Sequence, residues 1–297
     1  MRTQNTYSRR AHRVSVFCKG VVHRLGDPYY TLHQSPTQTL YWLNRWIQAG
    51  ISPNQIARIE NCAYLKKNDG VYFSRAISSN EYQSLRRLKM PMHYLIDDDY
   101  EAMAKDEALP EKYRQKMERF SRGVLPAICS AKDVRLYAAS TALAALHGCE
   151  QIDPIWLSPS NKGLARPESG KTIRLAFLST ASHLKDFSIL VDQWLPMINE
   201  ALRRVGKQAR VTHYLKSHVG VEQLPEFSNT RWEHRFALPW NIYRRDVPRA
   251  GYHAILYPLE DTPVNAARSN SKMKEAGLLG IPVFQDAATV VQWIDRT

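Results

Sequence analysis

The chain is poor in cysteine, and the cysteines that it has form no recognisable pattern. Cys18, Cys62, Cys129 and Cys149 lie far apart, without the CxxC pairs of zinc or redox sites. The ten histidines contain no HExxH spacing either. We therefore expect reduced thiols, no bound metal and a cytoplasmic protein.

Long hydrophobic runs are also missing. The run VSVFCKGVV is interrupted by Lys19, and LYAASTALAAL is too short to cross a bilayer. The basic sequence MRTQNTYSRRAHR at the start is not followed by the long apolar segment of a signal peptide. Any membrane association is therefore expected to be peripheral, at the inner membrane face.

Several well-known nucleotide and catalytic motifs are absent. The sequence has no GxGxxG, no Walker motif and no GxSxG, which argues against a dinucleotide-binding enzyme, a P-loop NTPase and a serine hydrolase. Acidic residues are scarce relative to basic ones, at 28 Asp+Glu against 41 Lys+Arg, a formal charge of +13. Such a charge favours acidic partners, whether nucleotide, nucleic acid, anionic lipid or acidic glycan. It leaves the oligomeric state open.

What the sequence does have is an alternation of strand and helix patterns, cleanest after residue 171. This alternation predicts parallel sheets covered by helices. The segment SPSNKGLARPESGK predicts a linker. We expect two Rossmann-like α/β domains, 1–160 and 172–297, joined by 161–171 and facing each other across a cleft. Within the first domain we expect a helix capped by Ser35, a second polar helix from about Pro53, and a charged helical region over 100–122.

Three polar clusters stand where strands are expected to end. In RSNSKMKE, three capping residues precede Lys272 and Glu275, which share a helix face; this predicts either an anion site or a capped surface helix with a Lys–Glu pair. In LSTASHLKDF, Lys185 could meet a phosphate, or the loop could be an ordinary one with His183 on the surface.

The third cluster is the acidic run IDDDY. Three adjacent carboxylates repel one another, so at least one is expected to have a raised pKa. Consecutive side chains on a strand point in different directions, so all three cannot bind one metal. A general base and a cap of the next helix by Asp97 or Asp98 both stay open.

Four segments in order resemble the GT-B-fold glycosyltransferases of the "glycosyl transferases group 1" type. They are VYFSRA, MHYLIDDDY, IRLAFLSTASHLKDFSIL and YPLEDTPVNAARSNSKMKEAGLLGIPVF, whose S-K-x-x-E resembles the family's S-x-K-x-x-E pattern. The resemblance covers most of residues 65–290. It implies a nucleoside-diphosphate sugar as co-substrate, no further cofactor, and transfer of the sugar to an acceptor hydroxyl.

The resemblance also implies roles for individual residues. Glu275 would contact the ribose and Lys272 the diphosphate. Further donor-binding residues would be Ser179, Thr180, His183, Lys185, Asn265, Arg268 and Ser269. Arg75, Glu260 and Asp261 would serve the acceptor or line the cleft, and a general base would come from Asp97, Asp98, Asp99 or His183. The negative charge of the leaving group would be stabilised, without a metal, by Lys185, Lys272, Arg268 and helix N-termini.

The chain departs from the family pattern at three points. Ala267 replaces a glutamate and Thr180 an arginine; Glu260 or Asp261 could replace the first, and Arg268 or Arg244 the second. We also expect the family's C-terminal helix, which returns to the first domain, to be short or missing. These departures leave open whether activity is impaired.

The sequence is consistent with three functions. The first is transfer to a lipid-linked or surface polysaccharide, with an anionic membrane as a partner. The second is the same chemistry on modified bases of DNA. The third is a non-catalytic nucleic-acid-binding protein that stacks bases on Tyr41, Trp42 and Trp46, although the helical spacing of these residues favours core positions. The donor base, the sugar and the stereochemical outcome are left open by the sequence.

Overall fold

The computed structural model describes residues 27–59, 63–157, 170–178, 183–214, 224–235 and 238–297. They form two compact units. The first unit comprises Asp27–Leu157 and Asp261–Lys274, and the second comprises the described residues of Ser158–Glu260 and Glu275–Thr297. Most of the predicted linker 161–171 lies outside the described residues, so the predicted domain boundaries stay a prediction.

The first unit is built on a six-stranded sheet with the order β1-β2-β3-β4-β5-β6. The strands are β1 (Ile56–Ile59), β2 (Ala63–Lys66), β3 (Gly70–Ser74), β4 (Met92–Ile96), β5 (Val134–Ala138) and β6 (Glu150–Gln151). Strands β1 to β3 pair antiparallel, and β3 to β6 pair parallel. The carboxyl ends of β3, β4 and β5 therefore meet at one edge of the sheet.

Six helices belong to the described part of the first unit. They are α1 (Pro36–Gln38, Thr39–Leu43 and Asn44–Gln48 in succession), α2 (Ser79–Arg86), α3 (Tyr100–Lys105), α4 (Glu111–Arg119, Phe120–Val124 and Leu125–Ser130), α5 (Thr141–His147) and α8 (Pro263–Ala266). The middle segments of α1 and α4 have π-helical hydrogen bonding. Ser35 caps α1 and Pro36 takes its first position, as predicted.

The second unit has a five-stranded, all-parallel sheet with the order β11-β10-β7-β8-β9. Its strands are β7 (Thr172–Phe177), β8 (Gln208–His213), β9 (Thr230–His234), β10 (Ala254–Leu256) and β11 (Val283–Phe284). Its helices are α6 (Leu184–Ile189, Leu190–Trp194 and Leu195–Arg204), α7 (Trp240–Asp246) and α10 (Ala287–Asp295). Helix α9 (Ser271–Leu279) begins in residues of the first unit and ends in the second.

Each sheet packs against helices through buried apolar residues. In the second unit, α6 and α10 cover one face, with Leu190, Ile198 and Ile294 fully buried. The other face packs against α9 through Ala276 and against the chain near Val247. The expected α/β class with two parallel-rich sheets is therefore confirmed.

One predicted helix of the first unit is wrong, and a predicted helical region is helical on both sides of a short break. From Pro53 the chain makes only a short 3₁₀ turn, Pro53–Gln55, and then enters β1, where β-branched Ile56 and Ile59 favour a strand. The charged region 100–122 is broken between α3 and α4. Pro110 explains the break, because it disfavours helical geometry at the preceding Leu109.

The aromatic residues of α1 are buried in the first unit. Tyr41, Trp42 and Trp46 are each at most 5% exposed. Trp42 and Trp46 both meet the ring of Tyr72 edge to face, with centroids 5.1 and 4.9 Å apart. They are core residues and are not available to stack on nucleic acid bases.

Candidate active site

The three adjacent acids of the first unit follow directly after the buried strand β4. Asp97, Asp98 and Asp99 are half-buried at the carboxyl end of that strand. This edge of a parallel sheet is where α/β proteins usually bind ligands. We call these residues, together with Arg75 and Arg268, the carboxylate cluster.

Asp97 is held by two hydroxyl groups. The Tyr100 hydroxyl donates to its Oδ1 at 2.5 Å, and the Thr37 hydroxyl donates to its Oδ2 at 3.0 Å. Burial raises the pKa of Asp97, and these hydrogen bonds and Arg75 offset only part of the rise. Burial and the charge of Asp97 also raise the pKa of Tyr100, so this phenol stays a donor.

The carboxyl of Asp98 has a strongly raised pKa. Burial, followed by repulsion from Asp97, raises its pKa to about 7, against the opposing charges of Arg268 and Arg75. A carboxyl with this pKa can accept or release a proton near neutral pH, which suits a general base. At least one carboxyl has a raised pKa, as predicted, but burial contributes more to the rise than the predicted repulsion between the acids.

Asp99 has a structural role. Its Oδ1 accepts a hydrogen bond of 2.9 Å from the Ala102 backbone N–H and so caps α3. One alternative drawn from the sequence gave this role to Asp97 or Asp98, which is wrong because α3 begins at Tyr100 and Asp99 is therefore its N-cap.

Arg75 approaches the acids from the end of β3. Its backbone has φ of 72°, a left-handed conformation that is uncommon for a residue with a side chain. The Tyr94 hydroxyl donates to its carbonyl oxygen at 3.2 Å, which helps to hold this backbone. The turn directs an exposed arginine to within electrostatic range of Asp97 and Asp98. Local strain of this kind is often found at functional sites.

The segment Asp261–Lys274 brings the second arginine to the cluster. Its Val264 and Ala267 are buried in the first unit's core, and the Ser140 hydroxyl donates to the Ala267 carbonyl at 2.7 Å. Arg268 Nε donates to Asn265 Oδ1 at 2.5 Å. Ala267, at the position where the glycosyltransferase pattern it resembles has a glutamate, is therefore a packing residue here.

Other predicted residues of this segment differ in exposure. Asp261 is exposed, and Ser269 is half-buried and hydrogen-bonded to the Tyr41 phenol. Lys272 is half-buried in the first turn of α9, where the Trp156 indole donates to the Ser271 carbonyl at 3.2 Å. The structure thus places Asn265, Arg268 and Ser269 in the same unit as the carboxylate cluster.

A cavity of about 680 Å³ opens beside Asp99 in the first unit. Its lining joins α3 and α5 to the start of α8 and mixes apolar with charged side chains. The apolar part includes Leu125, Leu146 and Val264, and the charged part includes Glu101 and Lys105. A cavity of this size and mixed polarity can hold a ligand that has both apolar and hydroxyl-bearing parts.

In the second unit, polar residues follow the neighbouring strands β7 and β10. The His183 Nδ1 lies 2.7 Å from Asp186 Oδ2, and both side chains are buried. The other carboxylate oxygen of Asp186 accepts from the Glu260 backbone N–H at 3.1 Å. Lys185 Nζ lies 2.5 Å from Glu260 Oε1. These four residues and Tyr257, whose ring centroid is 6.0 Å from that of His183, form what we call the histidine cluster.

The His183–Asp186 contact has a chemical consequence. With the Nδ1 proton donated to Asp186, the neutral imidazole carries its lone pair on Nε2. A carboxylate that fixes the tautomer of a histidine in this way is a common device in catalytic and binding sites. The histidine is buried, so the alternative of an ordinary surface histidine is wrong.

Glu275 is a buried carboxylate on α9, with only 2% of its surface exposed. The Tyr243 hydroxyl donates to its Oε1 at 2.8 Å. Burial, followed by the charge of Glu275, raises the pKa of Tyr243 far above its ordinary value and keeps this donor protonated. A glutamate on a capped surface helix would face solvent, which this one does not.

Ser179 and Thr180, predicted to bind the donor, lie outside the described residues. Four further residues hold the predicted ones in place and were not predicted from the sequence: Thr37, Tyr100, Asp186 and Tyr243. The H-x-x-D spacing on one helix turn could have indicated Asp186. Thr37 and Tyr243 carry no such signal, because their partners lie 60 and 32 residues away along the chain.

Comparison with known proteins does not assign the chain to a family. No protein-family model matches the chain, and no curated protein is significantly similar to it. Within the part of the chain that the structure describes, no helix has both the length and the hydropathy to span a membrane. The same residues contain no group of three or more His, Cys, Asp and Glu side chains arranged to hold a metal ion.

Proposed function

We propose that the protein is a GT-B-type glycosyltransferase that moves a sugar from a nucleoside-diphosphate sugar to an acceptor hydroxyl. The observation that carries the proposal is Glu275, buried and held by Tyr243, at the glutamate of the K-x-x-E segment that resembles the family's pattern. A buried carboxylate is costly unless it has partners. An ionised one can accept hydrogen bonds from both hydroxyls of a ribose.

The donor's diphosphate would be held by nearby cations and by helix N-termini. Lys272 lies three residues before Glu275 on the same helix, and Lys185 follows β7 in the same unit as Glu275. Positive groups placed in advance stabilise the charge that develops on a nucleoside-diphosphate leaving group. In this proposal the ribose of the donor is held by the second unit, to which Glu275 and Tyr243 belong.

The acceptor would be activated by the first unit. Asp98, with a pKa raised to about 7, is the best-suited general base, and the charge of neighbouring Asp97 contributes to that rise. The base takes the proton of the acceptor hydroxyl as its oxygen attacks the anomeric carbon and the bond to the diphosphate breaks. The cavity beside Asp99 would hold the acceptor, either a lipid-linked or surface glycan or a modified base of DNA.

The test is a panel of UDP-, GDP-, CDP- and ADP-sugars scored for hydrolysis, with thermal stabilisation by the free nucleotides. We expect one nucleotide to stabilise the protein and Glu275→Gln to weaken its binding by roughly 10- to 100-fold, the usual loss of hydrogen bonds to a charged group. Glu226→Gln, an exposed glutamate of the second unit, is the control. Equal nucleotide binding by the two variants would rule out the proposed ribose contact.

A further inference from the structure

A second cavity of the first unit lies at the opposite end of β4 from the carboxylate cluster. Its volume is about 800 Å³, and its walls come from the starts of β4 and β5 and the loops before them. Strand β4 has five residues, so the two ends of the strand are roughly 13–17 Å apart. This cavity is therefore separate from the proposed acceptor site.

The two loops that line the cavity run side by side. Met92 pairs with Val134 and His93 with Arg135 in the parallel ladder, and the Met92 N–H donates to the Asp133 carbonyl at 3.1 Å. Lys89 precedes Met92 by three residues, and Lys132 precedes Val134 by two. The register thus brings both lysines to the same edge of the sheet.

The cavity is strongly basic. Its lining contains Arg86, Lys89, Lys132 and Arg135, against the single carboxylate of Asp133. Four cations and one anion give the lining a formal charge of +3, which the pairing of Arg135 with Glu150 outside the lining reduces to +2. All four basic side chains are exposed, so they can reorient toward a ligand.

Two of the four basic side chains of the cavity already form ion pairs. Arg86 pairs with Asp133, and Arg135 pairs with Glu150 at 2.8 Å. Lys89 and Lys132 have no ion pair among the described residues. Burial lowers the pKa of His93 in the wall, so its ring is neutral at pH 7 and adds no further charge. The two lysines therefore supply most of the uncompensated charge.

We propose that this cavity binds the phosphate groups of a compact polyanionic ligand. Two lysines supply mobile point charges, and two arginines supply planar donors that match phosphate oxygens. The concave shape favours a ligand with several phosphates close together over a long chain that needs an extended surface. The inference is independent of the proposed glycosyltransferase activity.

The test is calorimetric titration of the full chain with sodium tripolyphosphate. We compare the wild type with Lys89→Ala/Lys132→Ala and with Lys112→Ala/Lys116→Ala, two exposed lysines on α4 of the same unit. Both variants remove the same charge, and alanine keeps the Cβ at Lys89, where φ is 52°. Thermal melting of each variant verifies that it is folded.

We expect the wild type to bind tripolyphosphate, with an affinity that falls as salt is added. The cavity variant should lose at least tenfold in affinity, whereas the α4 variant should stay within twofold of the wild type. The proposal is overturned if the wild type does not bind, or if both variants lose the same affinity. Tighter binding of long nucleic acid that both lysine pairs support equally would also overturn it.

Two further arms identify the source of the phosphates. Cosedimentation with phosphatidylcholine vesicles containing phosphatidic acid, lost in the cavity variant alone, would assign the cavity to a lipid headgroup. Retained binding of tripolyphosphate without cosedimentation would assign it to a soluble phosphorylated ligand.

Discussion

The carboxylate cluster and the histidine cluster both follow the carboxyl ends of parallel strands, yet they balance their charges differently. In the histidine cluster, Lys185 meets Glu260 at 2.5 Å and His183 meets Asp186 at 2.7 Å. In the carboxylate cluster, three acids follow one another, and the pKa of Asp98 rises to about 7. One cluster pairs opposite charges, and the other keeps like charges close together.

This difference indicates that the two units have different roles, one in proton transfer and the other in ligand binding. Like charges that are crowded and buried reduce stability, and proteins often keep them where a proton must be transferred near neutral pH. Paired charges whose hydrogen bonds are already formed suit the binding of a ligand without rearrangement. Three measurements test this comparison, and we order them by the expected size of the effect.

The largest effect is expected for Asp98→Asn. The folded-state pKa of about 7 lies above the ordinary value of 3.8, so between these values only the unfolded chain has released the proton. Stability that is present below about pH 4 is therefore lost as the pH rises to 7, at up to about 1.4 kcal/mol per unit. Asparagine does not titrate, so the variant does not lose this stability as the pH rises. We expect the variant to exceed the wild type in urea-unfolding free energy by roughly 1–4 kcal/mol at pH 8 and to match it near pH 4.

The control for this measurement is Glu107→Gln, which neutralises an exposed acid of the same unit. Its stability difference from the wild type should stay small at every pH. A difference for Asp98→Asn that does not change between pH 4 and pH 8 would show that Asp98 titrates normally. The contrast between the two clusters would then disappear.

An intermediate effect is expected for Asp186→Asn in the histidine cluster. Asp186 is 4% exposed and accepts hydrogen bonds from His183 and from the Glu260 backbone. An amide has only one acceptor oxygen, so its NH₂ group would face one of these donors. Leaving a buried donor unpaired should destabilise the protein by roughly 1–3 kcal/mol.

The matched control is Asp192→Asn, an exposed aspartate on the same helix α6. Denaturation curves of the two variants at pH 7 give the comparison directly. If Asp186→Asn were no more destabilising than Asp192→Asn, the contacts of Asp186 would contribute little, and the second unit's cluster would not be preorganised.

The sequence predicts the elements of these clusters better than it predicts their contacts. The strand before Asp97 and helix α6 after His183 follow from local hydrophobic patterns. Arg268 reaches the carboxylates because Val264 and Ala267 pack into a core formed by residues more than a hundred positions earlier. No local pattern contains that information. The capping by Asp99 was missed by one or two residues, the usual precision for the end of a strand.

The smallest effect on stability is expected for the ion pair of Lys185 and Glu260. Their side chains are 55% and 30% exposed, so solvent screens the attraction. A double-mutant cycle with Lys185→Gln and Glu260→Gln should give a coupling energy of about 0.2–1 kcal/mol. The exposed pair of Arg203 and Glu200, on the same helix as Lys185, serves as the control cycle.

Nucleotide affinity should separate the two ion pairs even though their coupling energies are similar. If Lys185 serves a phosphate, Lys185→Gln weakens nucleotide binding, whereas Glu260→Gln removes a competing carboxylate from the ammonium and leaves binding equal or tighter. Neither Arg203→Gln nor Glu200→Gln should change it. Weaker binding in Glu260→Gln than in Lys185→Gln would reverse these roles and assign the carboxylate, with its backbone link to Asp186, to the ligand.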